Sequence, residues 1–158
     1  SRINTMAHAH DRLVKATWTE TSISEVIEAA LMPHSMSNGR FKTEGPALPI
    51  GSKQALALTM ALHELATNAA KYGALSSDTG YVQVLWTCDD GTEPAQFDLA
   101  WKEHGGPPVA PPRRRGFGTR MIEQALAGYF DGKAELKYDP DGLRFELSAP
   151  MTGLLQQD

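Results

Sequence analysis

The sequence predicts an α+β domain, and three observations predict it. Residues 52–73 carry a run rich in Ala and Leu with helical spacing. From residue 82 the apolar residues change to a period of two, and they keep it through two segments. A further helical stretch at 119–129 then leads into a second pair of period-two segments. The 158 residues are enough for one domain with a short appendage. With 41% hydrophobic and 22% charged residues, the composition is that of an ordinary soluble globular protein.

In chain order, residues 2–16 place Ile3, Met6, Ala7, His10, Leu13 and Val14 on one helical stripe. A second helix is expected over 23–32, with Ser22 as N-cap, Glu25 completing a capping box and Pro33 as the stop. Short extended pieces at 40–44 and 47–50 flank Gly45-Pro46. Gly51 and Ser52 open the central helix, whose buried stripe is Ala55, Leu58, Leu62, Leu65, Ala66 and Ala69; Gly73 stands where it stops. Val82, Val84 and Trp86, then Phe97, Leu99 and Trp101, mark two strands that Asp89-Asp90-Gly91 joins as a hairpin. Residues 105–118 hold four prolines, cannot be helix or inner strand, and read as a mobile loop. Strands at 134–138 and 143–149 are joined by the turn Asp139-Pro140-Asp141-Gly142, and the tail after Met151 reads as frayed. No internal repeat is visible.

Several function classes are disfavoured at once. A net charge of −4 and a pI near 5.7 give no electrostatic footprint for nucleic acid. No apolar run approaches the roughly 20 residues that cross a bilayer, and no signal peptide opens the chain, so no membrane contact is expected of it. The single cysteine, Cys88, allows no intrachain disulfide and points to a reducing, cytoplasmic compartment. The chain begins at Ser1 rather than Met and is expected to be a piece of a longer protein. P-loop and dinucleotide glycine motifs are absent.

Three stretches carry chemistry. On the central helix, Glu64 and Asn68 are four apart and Lys71 follows by three, so an acid, an amide and an ammonium fall near one line. Such a line is either a solvated face or a working one, where the acid takes a proton, the amide oxygen ligates a hard cation and the ammonium meets a phosphate. His63-Glu64 opens like a zinc helix, but Thr67 fills the place of the second histidine and the ligand count fails. In the loop, Arg113, Arg114 and Arg115 precede Gly116-Phe117-Gly118 and Thr119 at a helix start, which suits either a solvated turn or a phosphate approached closely by backbone amides. Trp101-Lys102-Glu103-His104-Gly105-Gly106 closes a strand at the loop mouth, where Glu103 is either an ordinary strand-end acid or an acceptor for an exocyclic amine.

Together these stretches resemble one family. His63-Glu64-Leu65 with Asn68 and Lys71-Tyr72-Gly73-Ala74-Leu75 resembles the N-box of the HWE group of bacterial sensor histidine kinases, within the GHKL superfamily. His63 and Trp101-x-Glu103 match the His and the Trp-x-Glu that name the group, and Gly116-Phe117-Gly118 resembles its second glycine box. The resemblance runs from about residue 38 to 150 with order and spacing kept. It implies a two-layer α/β sandwich of the Bergerat ATP-binding type, with a mixed, largely antiparallel sheet and helices on one face.

By the same resemblance, residues 1–32 are the end of a dimerisation and phosphotransfer segment, 33–152 the catalytic domain and 153–158 a tail. The cofactors implied are ATP and Mg2+. Asn68 would ligate the magnesium, Glu64 would act near the γ-phosphate as base or water-orienting group, and Lys71 with the loop arginines would meet phosphate oxygens. Glu103 stands where most sensor kinases have an Asp and would contact the adenine amine, with Gly105 and Gly106 beside it. His63, Tyr72 and Trp101 would pack beside the nucleotide. No His-Arg-x-x-Asn type stretch is present around His8, His10, His34 or His104, so the phosphoacceptor histidine is expected outside this chain, with His8 and His10 on the adjoining helix as the alternatives and a response regulator as the onward partner. A nucleotide- or partner-binding module of the same fold without turnover is the alternative.

Overall fold

In chain order the elements are β1 (Thr21–Ser22), α1 (Ile23–Leu31), β2 (Phe41–Glu44), β3 (Pro49–Ile50), α2 (Ser52–Tyr72), β4 (Tyr81–Asp89), β5 (Gln96–His104), α3 (Phe117–Phe130), β6 (Lys133–Asp139) and β7 (Gly142–Pro150). Short 3-10 turns occur at Met32–His34, Ala74–Ser76 and Met151–Leu154. The computed structural model describes residues 21–34, 39–110 and 117–155. The helix expected over 2–16, and Arg113, Arg114, Arg115 and Gly116, lie outside the described residues.

The period-two segments become strands because alternation gives each of them one apolar face. They form a five-stranded sheet in the order β2-β4-β5-β7-β6. The β2/β4 pairing is parallel and the other pairings are antiparallel, so the sheet is mixed and largely antiparallel. One face presents Val82, Val84, Trp86, Phe97, Leu99 and Phe145, all buried. Against that face lie Ile27 of α1, Leu58 and Leu62 of α2, and Leu126 and Phe130 of α3. The opposite face carries Gln83, the exposed Leu85, Lys102, Arg144 and Glu146. Among the described residues the helices lie on one side of the sheet only, which is the Bergerat-type two-layer arrangement.

Some local expectations need correction. Ser22 precedes α1 as its N-cap residue but makes no side-chain cap; its hydroxyl bonds the Ser24 hydroxyl at 2.8 Å, so no capping box forms. α3 starts at Phe117 rather than Thr119, which draws Gly118 into the first helical turn. Ala55 is only partly buried; the stripe runs instead through Ala57 and Ala61 as well as the leucines. The chain after Met151 is not frayed at its beginning: Leu154 is 1% exposed, and its carbonyl accepts the Gly51 amide at 2.7 Å. An apolar side chain with a core to enter holds the turn in place.

Candidate functional site

The polar line of α2 sits where that helix leaves the core. Glu64 and Asn68 are both half-buried, and the Asn68 Nδ2 donates to Glu64 Oε2 at 3.3 Å. They form one wall of a cavity of about 580 Å3, with Tyr72 and Gly73 further along the same helix. Small-molecule sites typically occupy roughly 300–1,000 Å3. Gly118 and Thr119, in the first turn of α3, face them, and Pro108, Val109 and Ala110 cover the mouth. Leu136, Tyr138 and Leu143, from β6 and β7, supply an apolar wall. The Val109 amide donates to the Pro140 carbonyl at 3.2 Å, which ties this part of the loop to the β6/β7 turn.

Glu103 lies at the base, 2% exposed. Its Oε1 accepts the Ala74 amide at 3.0 Å, and its Oε2 accepts the Trp101 indole N–H at 3.0 Å. Burial pushes its carboxyl above the ordinary glutamate value, and these two donors pull it back in part. Gly73 shows why α2 must end in glycine. Its φ of −116° is not left-handed, but a Cβ there would stand 2.2 Å from Glu103 Oε1. Space, rather than backbone handedness, makes the demand.

Gly118 has the same logic on the opposite wall: a Cβ would lie 2.5 Å from Glu64 Oε2. Beyond this pair, a second groove of about 570 Å3 runs between α2 and α3. Its lining includes the exposed Leu56, Met60, Met121 and Tyr129, and it shares Glu64 and Gly118 with the first cavity. The Glu64 carboxylate therefore stands at the boundary of the two.

A family model described as HWE histidine kinase matches residues 1–47. A blue-light-activated histidine kinase of Brucella anthropi is 41% identical over 152 residues, which is 96% of this chain and 31% of that protein. Residues 1–47 thus match the HWE histidine kinase family, and nearly the whole chain aligns with part of a histidine kinase. A blue-light-activated histidine kinase of Brucella ovis is 36% identical over 152 residues, and the chain covers about a third of the length of these relatives. Among solved structures, the catalytic domain of histidine kinase ThkA matches with a TM-score of 0.61 at 16% identity, over 84% of this chain and 96% of that one. The histidine kinase domain of an Erythrobacter litoralis blue-light activated kinase matches with a TM-score of 0.57 at 15% identity, over 85% and 64%. ThkA in complex with the response regulator TrrA matches with a TM-score of 0.61 at 16% identity, over 96% and 51%. At these identities the structural likeness speaks for the fold.

In this chain the expected site residues divide into three groups. Glu64, Asn68, Tyr72, Glu103, Gly118 and Thr119 line one cavity. His63, Lys71, Trp101, Gly105 and Gly106 do not line it. Trp101 is fully buried beneath Glu103, and Lys71 is exposed beyond Asn68. His63 pairs instead with His34, ring nitrogen to ring nitrogen at 2.9 Å, and burial together with the His63 ring lowers the His34 pKa. Gly105, with φ +75°, and Gly106, whose Cβ would stand 2.6 Å from Ala74 Cα, let β5 leave the sheet hard against the turn after α2. Arg113, Arg114, Arg115 and Gly116 form the third group, outside the described residues, and Phe117 is placed only as the first residue of α3.

Sequence reasoning missed the apolar wall and Arg40. Leu136, Tyr138 and Leu143 look like any strand alternation, and nothing local separates a cavity wall from a core. Arg40 donates to the carbonyls of Ala74, Ser77 and Gly80, and so holds the turn that presents the Ala74 amide to Glu103. An isolated arginine before a short strand carries no sequence signal for that role.

Proposed function

We propose that this chain is the ATP-binding catalytic domain of a two-component sensor histidine kinase, and that it transfers the ATP γ-phosphoryl group to a histidine outside the chain. One observation carries the reading: a buried acceptor, Glu103, and a half-buried acid–amide pair, Glu64 and Asn68, converge on the same cavity. The acceptor end suits the adenine amine, and the apolar wall of Leu136, Tyr138 and Leu143 suits the base. The phosphates then extend towards Asn68, Glu64 and the first turn of α3.

Magnesium fits this donor set. Asn68 uses its Nδ2 towards Glu64, so its hard amide oxygen is the end left for a cation. Bound there, magnesium would neutralise charge developing on the phosphate oxygens. Lys71 and the loop arginines would add cations at the edge. In the transfer, the acceptor imidazole nitrogen forms a bond to Pγ as the bond from Pγ to the β,γ-bridging oxygen breaks. ADP leaves with that electron pair, and the imidazole proton passes to the Glu64 carboxylate. The groove between α2 and α3 ends at Glu64, so it gives the acceptor segment an apolar approach to that step. A response regulator would take the phosphoryl group onward. The cytoplasm, where ATP is available and Cys88 would remain a thiol, is the compartment that suits this reading.

Calorimetry with Mg-ATP and Mg-GTP, on the parent and on Asn68→Ala, tests the binding half. ATP should bind far more tightly than GTP, and the variant should lose the magnesium-dependent part of its ATP affinity while remaining folded. Equal affinities in parent and variant would overturn the assignment. For turnover, the acceptor segment of the longer protein is supplied in trans with labelled ATP. Glu64→Gln should bind nucleotide yet lose transfer by about 10²–10⁴-fold, the usual worth of a positioned base. A parent that binds ATP but never transfers it would favour the binding-module alternative.

A further inference from the structure

Trp101 is one of the largest side chains in the core, fully buried, and lines no part of the cavity. Its one polar atom is nevertheless aimed at the cavity's base. Successive side chains on β5 alternate between faces, so Trp101 and Glu103, two apart, share the inner face. The indole Nε1–H donates to Glu103 Oε2 at 3.0 Å. The other oxygen is held from a different element, by the Ala74 amide. Both partners are donors with no acceptor capacity. A carboxylate between them can use its remaining lone pairs only to accept.

We propose that Trp101 is a positioning residue for base selectivity: its indole N–H holds Glu103 as an oriented acceptor, so that an amino group and not a carbonyl is received at the purine edge. The inference rests on the reading that Glu103 meets the base. Indole suits the task because the ring fills the core beneath the site, with the Phe41 ring 6.1 Å away, while its single N–H cannot accept in return. Burial favours the protonated form of Glu103, and Trp101 is one of the two donors opposing it. A protonated carboxyl can donate, and a donor suits a guanine carbonyl better than an adenine amine. Among the described residues the other titratable groups facing this space are Glu64 and Tyr72 from α2 and Tyr138 from β6. On the remaining sides β4 places Val82 in register with Glu103 and β7 contributes Leu143, neither of which titrates. Arg40 lies behind the Ala74 peptide, bonded to its carbonyl.

The test uses Trp101→Phe and a second chain carrying benzothienylalanine at position 101, which keeps the indole shape with sulfur in place of N–H. Dissociation constants for Mg-ATP and Mg-GTP are measured across pH by calorimetry. In both variants ATP affinity should fall about tenfold or more, the worth of one hydrogen bond to a charged group. The ATP-to-GTP preference should also narrow, most strongly at the acid end of the range. If Trp101→Phe fails to fold, the sulfur isostere decides. An isostere with the parent's preference and pH profile would show that Trp101 only packs, and would overturn the proposal while leaving ATP binding intact. A parent chain that bound neither nucleotide would instead overturn the ATP-binding reading, and this inference with it.

Discussion

Glu103 shows how much one side chain carries here. The sequence marks it as a strand-end acid or an amine acceptor, whereas the fold buries it, gives it two donors and sets it against a cavity. Its elevated carboxyl pKa has a consequence for stability. A group that holds its proton more tightly when folded favours folding at pH below its unfolded value, and that contribution is lost as pH rises through the folded value. The difference in unfolding free energy between the parent and Glu103→Gln should therefore decline as pH rises through that window. A pH-independent difference, from urea melts, would mean that the folded carboxyl titrates as it does in the unfolded chain. His63 behaves differently: the residue that helps to name the family touches His34 rather than the cavity.

At the scale of elements, the site is made where helix ends meet. α2 stops at Tyr72 and α3 starts at Phe117, and a glycine near each of these ends leaves room for a carboxylate from elsewhere. Gly118→Ala should push the Glu64 carboxylate aside. We expect transfer to fall while nucleotide affinity changes little, seen as reduced single-turnover rates at unchanged ATP binding. An unaltered rate would show that Glu64 can move without cost. Gly73→Ala should act on the opposite end of the ligand: it displaces Glu103, so ATP affinity should drop by about tenfold or more, as for loss of a bond to a charged group. The loop edge offers a readout of occupancy. The Val109 amide is bonded to the Pro140 carbonyl and lines the cavity, so its hydrogen exchange should slow when an ATP analogue binds. Identical exchange with and without the analogue would make this segment a bystander.

For the molecule as a whole, the two ends of the described chain close the same core. Ile27 from α1 and Leu154 from the last turn are both buried in the cluster that holds Leu62 and Phe130. Ile27→Ala and Leu154→Ala should each cost about 2–5 kcal/mol, as buried large-to-small changes do. Both should lower the midpoint of one shared urea transition. A separate early transition for Ile27→Ala would mean that α1 folds apart from the sheet.

The sequence by itself determined the main helices and strands between residues 23 and 150, their order and the family resemblance. Helical spacing, strand alternation and turn residues are local properties, and local sterics and burial are enough to write them into the chain. Glu64 with Asn68 was legible for the same reason, because four residues along a helix is a fixed distance. Only the tertiary structure decided that Trp101 supports Glu103 from below, that Arg40 holds the turn at Ala74, and that Leu136, Tyr138 and Leu143 face a cavity. It also decided that Leu154 belongs to the core. Apart from the Trp101–Glu103 bond, made within one strand, each of these depends on which distant residue arrives opposite, from 29 positions away for Ala74 and Glu103. That is a matter of packing between elements, and no local pattern encodes it.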